Sequence, residues 1–281
     1  MKTVRIIPRL DVKGPNLVKG IHLEGLRVLG NPNDFAKYYY ENGADELLYS
    51  DVVASLFERN SLSEVISSTA KEIFIPITVA GGIRTLEDIK NILRAGADKV
   101  SLNTAVIKNP DLIEKASRMF GSSTIVVTME AIKGSDGKYL AYTDNGREWT
   151  GIEVTEWAKK VESLGAGEII ITSVDKEGTG EGFDIDLTRM VSEVVSIPVI
   201  AHGGAGTPQD IVDVINNGKA DAVSLASILH YGVINKQNFV KQNDEGNVEF
   251  LKNKKVFGKI TPYDLVELKD FLLENSIECR Y

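Results

Sequence analysis

Short apolar runs rich in β-branched residues alternate along the chain with longer stretches of helical period. The runs fall at 4–10, 46–52, 75–81, 99–105, 123–129, 168–174, 197–203 and 222–228. They are apolar throughout rather than at every second position, which suits strands of a parallel sheet buried on both faces. Between them, 31–43, 85–96 and 207–218 read as amphipathic helices. The last two open at Thr85 and Thr207, whose hydroxyls can cap first-turn N–H groups. They are expected to close at Gly96 and Gly218 in the left-handed conformation.

Part of this pattern occurs twice. The stretch from Ile75 to Ile107 returns from Ile197 to Leu229, with Gly81 recurring as Gly203 and Gly82 as Gly204, an offset of 122. Gly43 and Gly165 keep the same offset, and it becomes 123 only after Lys219. Two matches in one register mean two similar halves. Eight strands, each followed by a helix, then predict an α/β protein of (β/α)8 TIM-barrel type, built from two half-barrel repeats. A doubly wound open sheet is the other architecture considered, and it accounts less well for the repeat. No linker divides the chain, so 1–281 reads as one barrel domain. A polar, lysine-rich stretch at about 231–262 is too long for a plain connection and reads as an insertion between strand eight and the last helix.

Composition narrows the function. The chain has 281 residues, 43% hydrophobic and 26% charged, and no apolar run approaches the length of a membrane span. The first residues lack the apolar core of a secretory signal, so a cytoplasmic location is expected. A single cysteine, Cys279, leaves no disulfide framework and no cysteine metal site. A net charge of −8 speaks against a nucleic-acid surface. It does not oppose a small anion held by backbone N–H groups.

Candidate chemistry follows from where each residue falls on the barrel. Active sites of this fold lie at the C-terminal strand ends. Gly81 and Gly82 end strand three and Gly203 and Gly204 end strand seven, where a bare backbone can approach an oxyanion. Asn103 and Thr104 after strand four, and Ala226 and Ser227 after strand eight, stand at helix starts and complete two facing phosphate cups. Two cups imply a substrate phosphorylated at both ends. Asp11 ends strand one and Glu130 strand five, so two carboxylates face each other over the middle of such a substrate, an arrangement suited to acid–base work. Each could instead be a structural carboxylate. Asp51, Asp175 and Glu177 read as loop-ordering groups. At the opposite end, Arg5, Glu46, Lys99 and Glu168 ring the barrel floor, either as a salt-bridge network that stabilises it or as a gate to the axis.

Over nearly its whole length outside 231–262 the chain resembles HisF, the cyclase subunit of imidazole glycerol phosphate synthase. The motifs are LDVK with Asp11, LVKG with Lys19, SDVVAS with Asp51, AGGI, GADKVSLNTA, DKEGT at 175–179, GGAG and SILH. The resemblance implies conversion of phosphoribulosylformimino aminoimidazole carboxamide ribotide to imidazole glycerol phosphate and AICAR in histidine biosynthesis. It implies a lyase needing no cofactor or metal. Ammonia would come from a glutaminase partner in a heterodimer and pass up the barrel axis. It makes Asp11 and Glu130 the acid–base pair, adds Lys19 and Gly178 to the substrate- and phosphate-binding set, and makes the floor ring an ammonia gate. The chain departs from the family pattern at Glu130, usually aspartate, at Arg9, usually small, at His202, usually serine, and in the insertion. His202 could be a packed ring or an extra phosphate contact. These departures raise a second reading, an ammonia-channelling subunit of a surface-sugar amidotransferase system. A third is the isomerase of the same pathway, which shares both cups; the floor ring and KVSLNTA favour the cyclase over it.

Overall fold

The computed structural model describes residues 3–54, 62–236, 256 and 258–280. Its strands are β1 (Arg5–Lys13), β2 (Asn16–Ile21), β3 (Glu24–Gly30), β4 (Leu47–Asp51), β5 (Ile77–Ala80), β6 (Lys99–Leu102), β7 (Ile125–Lys133), β8 (Tyr139–Thr143), β9 (Glu148–Glu153), β10 (Glu168–Ser173), β11 (Val199–His202) and β12 (Ala222–Leu225). Eight of them pair in parallel in the order β1, β4, β5, β6, β7, β10, β11, β12, and β12 pairs back onto β1. The sheet is closed, which excludes the open doubly wound alternative and gives the (β/α)8 barrel.

The helices among the described residues are α1 (Pro32–Glu41), α2 (Ser63–Thr69), α3 (Leu86–Arg94), α4 (Thr104–Lys108), α5 (Asp111–Phe120), α6 (Val154–Ser163), α7 (Ile185–Ser192), α8 (Pro208–Asn216), α9 (Ser227–Lys236) and α10 (Leu265–Glu274). Among the described residues none is long and apolar enough to cross a membrane. The repeat holds to the residue. β5 and β11, and α3 and α8, share bounds at an offset of 122, and β6 and β12 share them at 123. In both copies a threonine and an aspartate form reciprocal caps, Thr85 with Asp88 and Thr207 with Asp210. The two copies end differently. Gly96 takes the expected positive φ, 117°, but in the second copy it is Lys219, at 58°, and not Gly218, that turns the chain. The inserted residue thus supplies the left-handed step.

The first part of the stretch expected as an insertion is helical. Residues 231–236 continue α9, a helix with every residue from Ser227 to Ile234 buried. Its apolar character comes from packing against the barrel. Most of the remaining stretch, 237–255 and 257, lies outside the described residues. Gly258 to Thr261 rests on the loops after β10 and β11, with Lys259 N donating to Thr179 O and Thr261 N to Gly206 O.

Four strands lie outside the barrel wall. β2 and β3 form an antiparallel hairpin continuing from β1, and β8 and β9 fold back on β7. Both excursions extend from C-terminal strand ends and so wall the mouth of the barrel.

Candidate functional site

Alternation along the strands sorts the barrel interior into layers. At the floor stand Arg5, Glu46, Lys99 and Glu168. Above them Ile7, Leu48, Val126, Ile170, Ile200 and Ala222 form an apolar layer separate from the main core between sheet and helices. The next layer is polar, with Arg9, Ser50, Ser101, Thr128, Thr172, His202 and Ser224 at the following inward positions. Asp11 and Glu130 are next up on β1 and β7.

The floor ring is complete. Arg5 reaches Glu46 at 2.9 Å and Glu168 at 3.1 Å, and Lys99 reaches Glu46 at 3.0 Å and Glu168 at 3.2 Å. Thr78 donates to the remaining Glu46 oxygen at 2.5 Å. Each of the four charges therefore has two partners, and none is buried unpaired.

Over the mouth, a cavity of about 620 Å³ is lined by Gly81, Gly82, Asn103, Thr104 and Glu130, together with Arg9, Arg84, Lys108, Asn145 and Arg147. Gly81 and Gly82 have φ of 97° and 69°. A Cβ on Gly81 would lie 2.3 Å from the carbonyl oxygen of Asp51, so the backbone comes this close only as glycine. The second cup has its expected lining, with Lys19, Gly178, Gly203, Gly204, Ala226 and Ser227, but encloses only about 20 Å³. The two cups are thus built from the same sequence parts, but the first opens into the wide mouth cavity and the second is nearly closed. The cause is local: Lys19 pairs with Glu177 at the second cup. Gly178 packs against the β2–β3 hairpin, where an added Cβ would lie 2.6 Å from Gly20 O.

The two carboxylates have opposite environments. Burial pushes the Asp11 carboxyl up, but Arg9 at 2.7 Å and Lys19 at 3.5 Å outweigh it and hold the group at about 2. Glu130 is pushed up to about 7 by burial, against the hydrogen bond from Gly146 N at 2.8 Å and the charge of Arg9. Near neutrality Asp11 is a fixed anion and Glu130 a group able to give or take a proton. Separated titrations of this kind assign acid and base roles.

His202 is a packed ring. Its Nδ1 donates to the Ser224 carbonyl at 2.8 Å, and a carbonyl can only accept, so the ring proton sits on Nδ1. Burial and the charges of Arg9 and Lys19 keep the ring neutral. Its Nε2 is therefore an acceptor, which a phosphate oxygen would not approach. Asp51 and Asp175 do order loops, accepting from Val53 N and Lys133 N. Glu177 does more. Wholly buried, it joins Lys19 and the Leu23 amide, tying the first hairpin to the loop after β10.

Several residues of the large cavity were not singled out from the sequence: Arg84, Lys108, Asp144, Asn145 and Arg147. The first two follow the glycine pair and Thr104 in chain order and could have been found by extending each cup by one turn. The others sit on or beside the β8–β9 turn, whose TDNG sequence signals a hairpin. The signal for a turn was present, but nothing in it places that turn over Glu130.

The family described as "Histidine biosynthesis protein" matches residues 5–235. An "Imidazole glycerol phosphate synthase subunit HisF" from Legionella pneumophila is 58% identical over 206 residues, covering 73% of this chain and 97% of that protein. One from Alkaliphilus metalliredigens is 47% identical, covering 83% and 93%. One from Methanococcus vannielii is 46% identical, covering 88% and 98%. The chain belongs to the histidine-biosynthesis family, among the HisF subunits of imidazole glycerol phosphate synthase.

Proposed function

We propose that the chain is the ammonia-dependent cyclase of that synthase, acting in the cytoplasm on the bisphosphorylated ribotide and releasing imidazole glycerol phosphate and AICAR. The observation that carries this reading is the split between Asp11 and Glu130 at the barrel mouth. One carboxylate stays charged to stabilise developing positive charge, and the other, titrating at about 7, exchanges the proton. The glycine cup beside Glu130 would take one phosphate. The second would enter the narrower cup once Lys19 and Glu177 part, leaving Lys19 for the anion. A glutaminase docked under the floor ring would deliver ammonia into the axis, with Arg5, Glu46, Lys99 and Glu168 as its gate. The test is turnover of the ribotide with ammonium salt, followed by release of imidazole glycerol phosphate. Product formation supports the cyclase.

A second reading, ammonia delivery for a sugar amidotransferase, draws support from one observation. Asp11 is locked between two cations beside a cup with room for a single water-sized molecule. On that reading the purified protein leaves the ribotide untouched yet still couples a glutaminase to an acceptor enzyme.

A further inference from the structure

Arg9 points inward one layer below Asp11 on β1 and is only 7% exposed. Among the described residues its Nε donates to Asp11 at 2.7 Å, and its two terminal NH2 groups donate to nothing. They are not among the sealed interior atoms left without a partner, and Arg9 lines the mouth cavity, so they open into it. The same cation acts on both Asp11 and Glu130. A guanidinium is rarely buried without full pairing, and one that only braces a carboxylate commonly grips it with two parallel N–H groups. Here a single N–H holds Asp11 and the planar fork is left facing the cavity.

We propose that the Arg9 fork is a subsite for an uncharged carboxamide oxygen, and that it takes the carboxamide of the ribotide. The inference rests on the cyclase reading above and adds to it a specificity contact. Charge decides against an anion. Arg9 and Lys19 already face Asp11 and Glu177, cation against anion, and an added carboxylate would stand beside Asp11 with no cation left over. An amide oxygen brings two lone pairs and no net charge, so both NH2 groups can donate to it. The amide nitrogen then has hydroxyl acceptors on the cavity wall, at Ser50, Ser101 and Thr128. Reach agrees. In the ribotide the carboxamide stands on the ring carbon next to the one that carries the nitrogen of the bond to be cleaved. A ring held by Arg9 keeps that bond near the two carboxylates on which Arg9 acts. The cup of Gly81 and Gly82 opens into the same cavity and is placed for the phosphate of that half.

The test compares three nucleotides by titration calorimetry on the full chain: AICAR, the same ribotide with hydrogen in place of the carboxamide, and the same with a carboxylate there. The parent should bind AICAR about ten- to hundredfold tighter than the hydrogen analogue, the worth of a hydrogen bond from a charged donor. In Arg9→Met, which keeps a long side chain without its donors, that ratio should fall to about one. A merely structural role for Arg9 would weaken all three nucleotides alike and leave the ratio as it was. Arg9→Lys keeps a cation for Asp11 but not the fork, and should still lose most of the preference. A parent that binds the hydrogen analogue as well as AICAR, or the carboxylate analogue more tightly, overturns the proposal. So does a parent that does not bind AICAR, or a ratio unchanged in both variants. Turnover is scored separately. If the parent converts the ribotide with ammonium but shows no carboxamide preference, the cyclase reading stands and this subsite falls. If the preference is present without turnover, the cyclase reading fails and the carboxamide site stands.

Discussion

Glu130 is held by surroundings that a sequence does not display. Its titration at about 7, against 4.5 for an ordinary glutamate, comes mainly from burial under the turn that brings Gly146 to it. The folded chain therefore holds this proton more tightly than the unfolded one. That contribution to stability is complete below about 4.5 and is lost as pH rises through about 7. At about 1.4 kcal/mol per unit, its ceiling is ~3 kcal/mol. Glu130→Gln should flatten the stability–pH curve over that window in urea unfolding at stepped pH, and should lower turnover about 10²–10⁴-fold. Asp11 has the opposite sign, its stabilisation present above 3.8 and lost as pH falls through about 2. The sequence marks Asp11 as chemically important and predicts a neighbouring cation in Arg9. It does not show that Lys19 closes on the same carboxylate. Hence an intact fold in Asp11→Asn is not expected. Buried Arg9 would lose its carboxylate partner and Lys19 would keep only Glu177, costing about 3–5 kcal/mol, and adding Arg9→Ala should recover part of the loss.

At the level of elements, the parallel strands and the repeated helices were legible because period and caps agree. The hairpins were not. The β2–β3 turn is made by His22 and Leu23 at φ of 51° and 61°, left-handed positions that a sequence normally announces with asparagine or glycine. Nothing in GIHLEG does so. The contact that helps hold it, Leu23 N to Glu177 at 3.0 Å, comes from a residue 154 positions away. Lys219 is the converse case, a side chain in a glycine conformation because the repeat gained one residue there. Relieving that strain with Lys219→Gly should raise unfolding free energy by about 0.5–1 kcal/mol, offset slightly by the exposed pair with Glu193. Chemical denaturation compared with the parent checks it, and a loss of stability would mean the pair outweighs the strain.

For the whole molecule, the two-fold repeat explains why the two cups have the same parts, and the hairpin on one side explains why they differ in room. The floor ring was legible from residue types at strand starts, since opposite charges gathered at one end of a barrel need one another as partners. Whether it gates was not, because that depends on what lies beneath. Under the cyclase reading, Lys99→Ala should leave turnover with free ammonium near the parent value while glutamine consumption outruns product formation in the complex. Equal loss with both nitrogen sources would leave the ring a structural brace.

The ring is also a closed circuit of four links. Breaking any one link leaves a chain in which every charge still has a partner, so a single thermal excursion does not open a path. Two links must fail together, and the chance of that is the product of two small probabilities. Leakage through the floor should then be rare and far more sensitive to salt than the weakening of one pair, since screening acts on both links at once. A partner that shifts one residue breaks two links in a single move. Redundancy against noise and response to a directed push are the same property of a loop with four nodes.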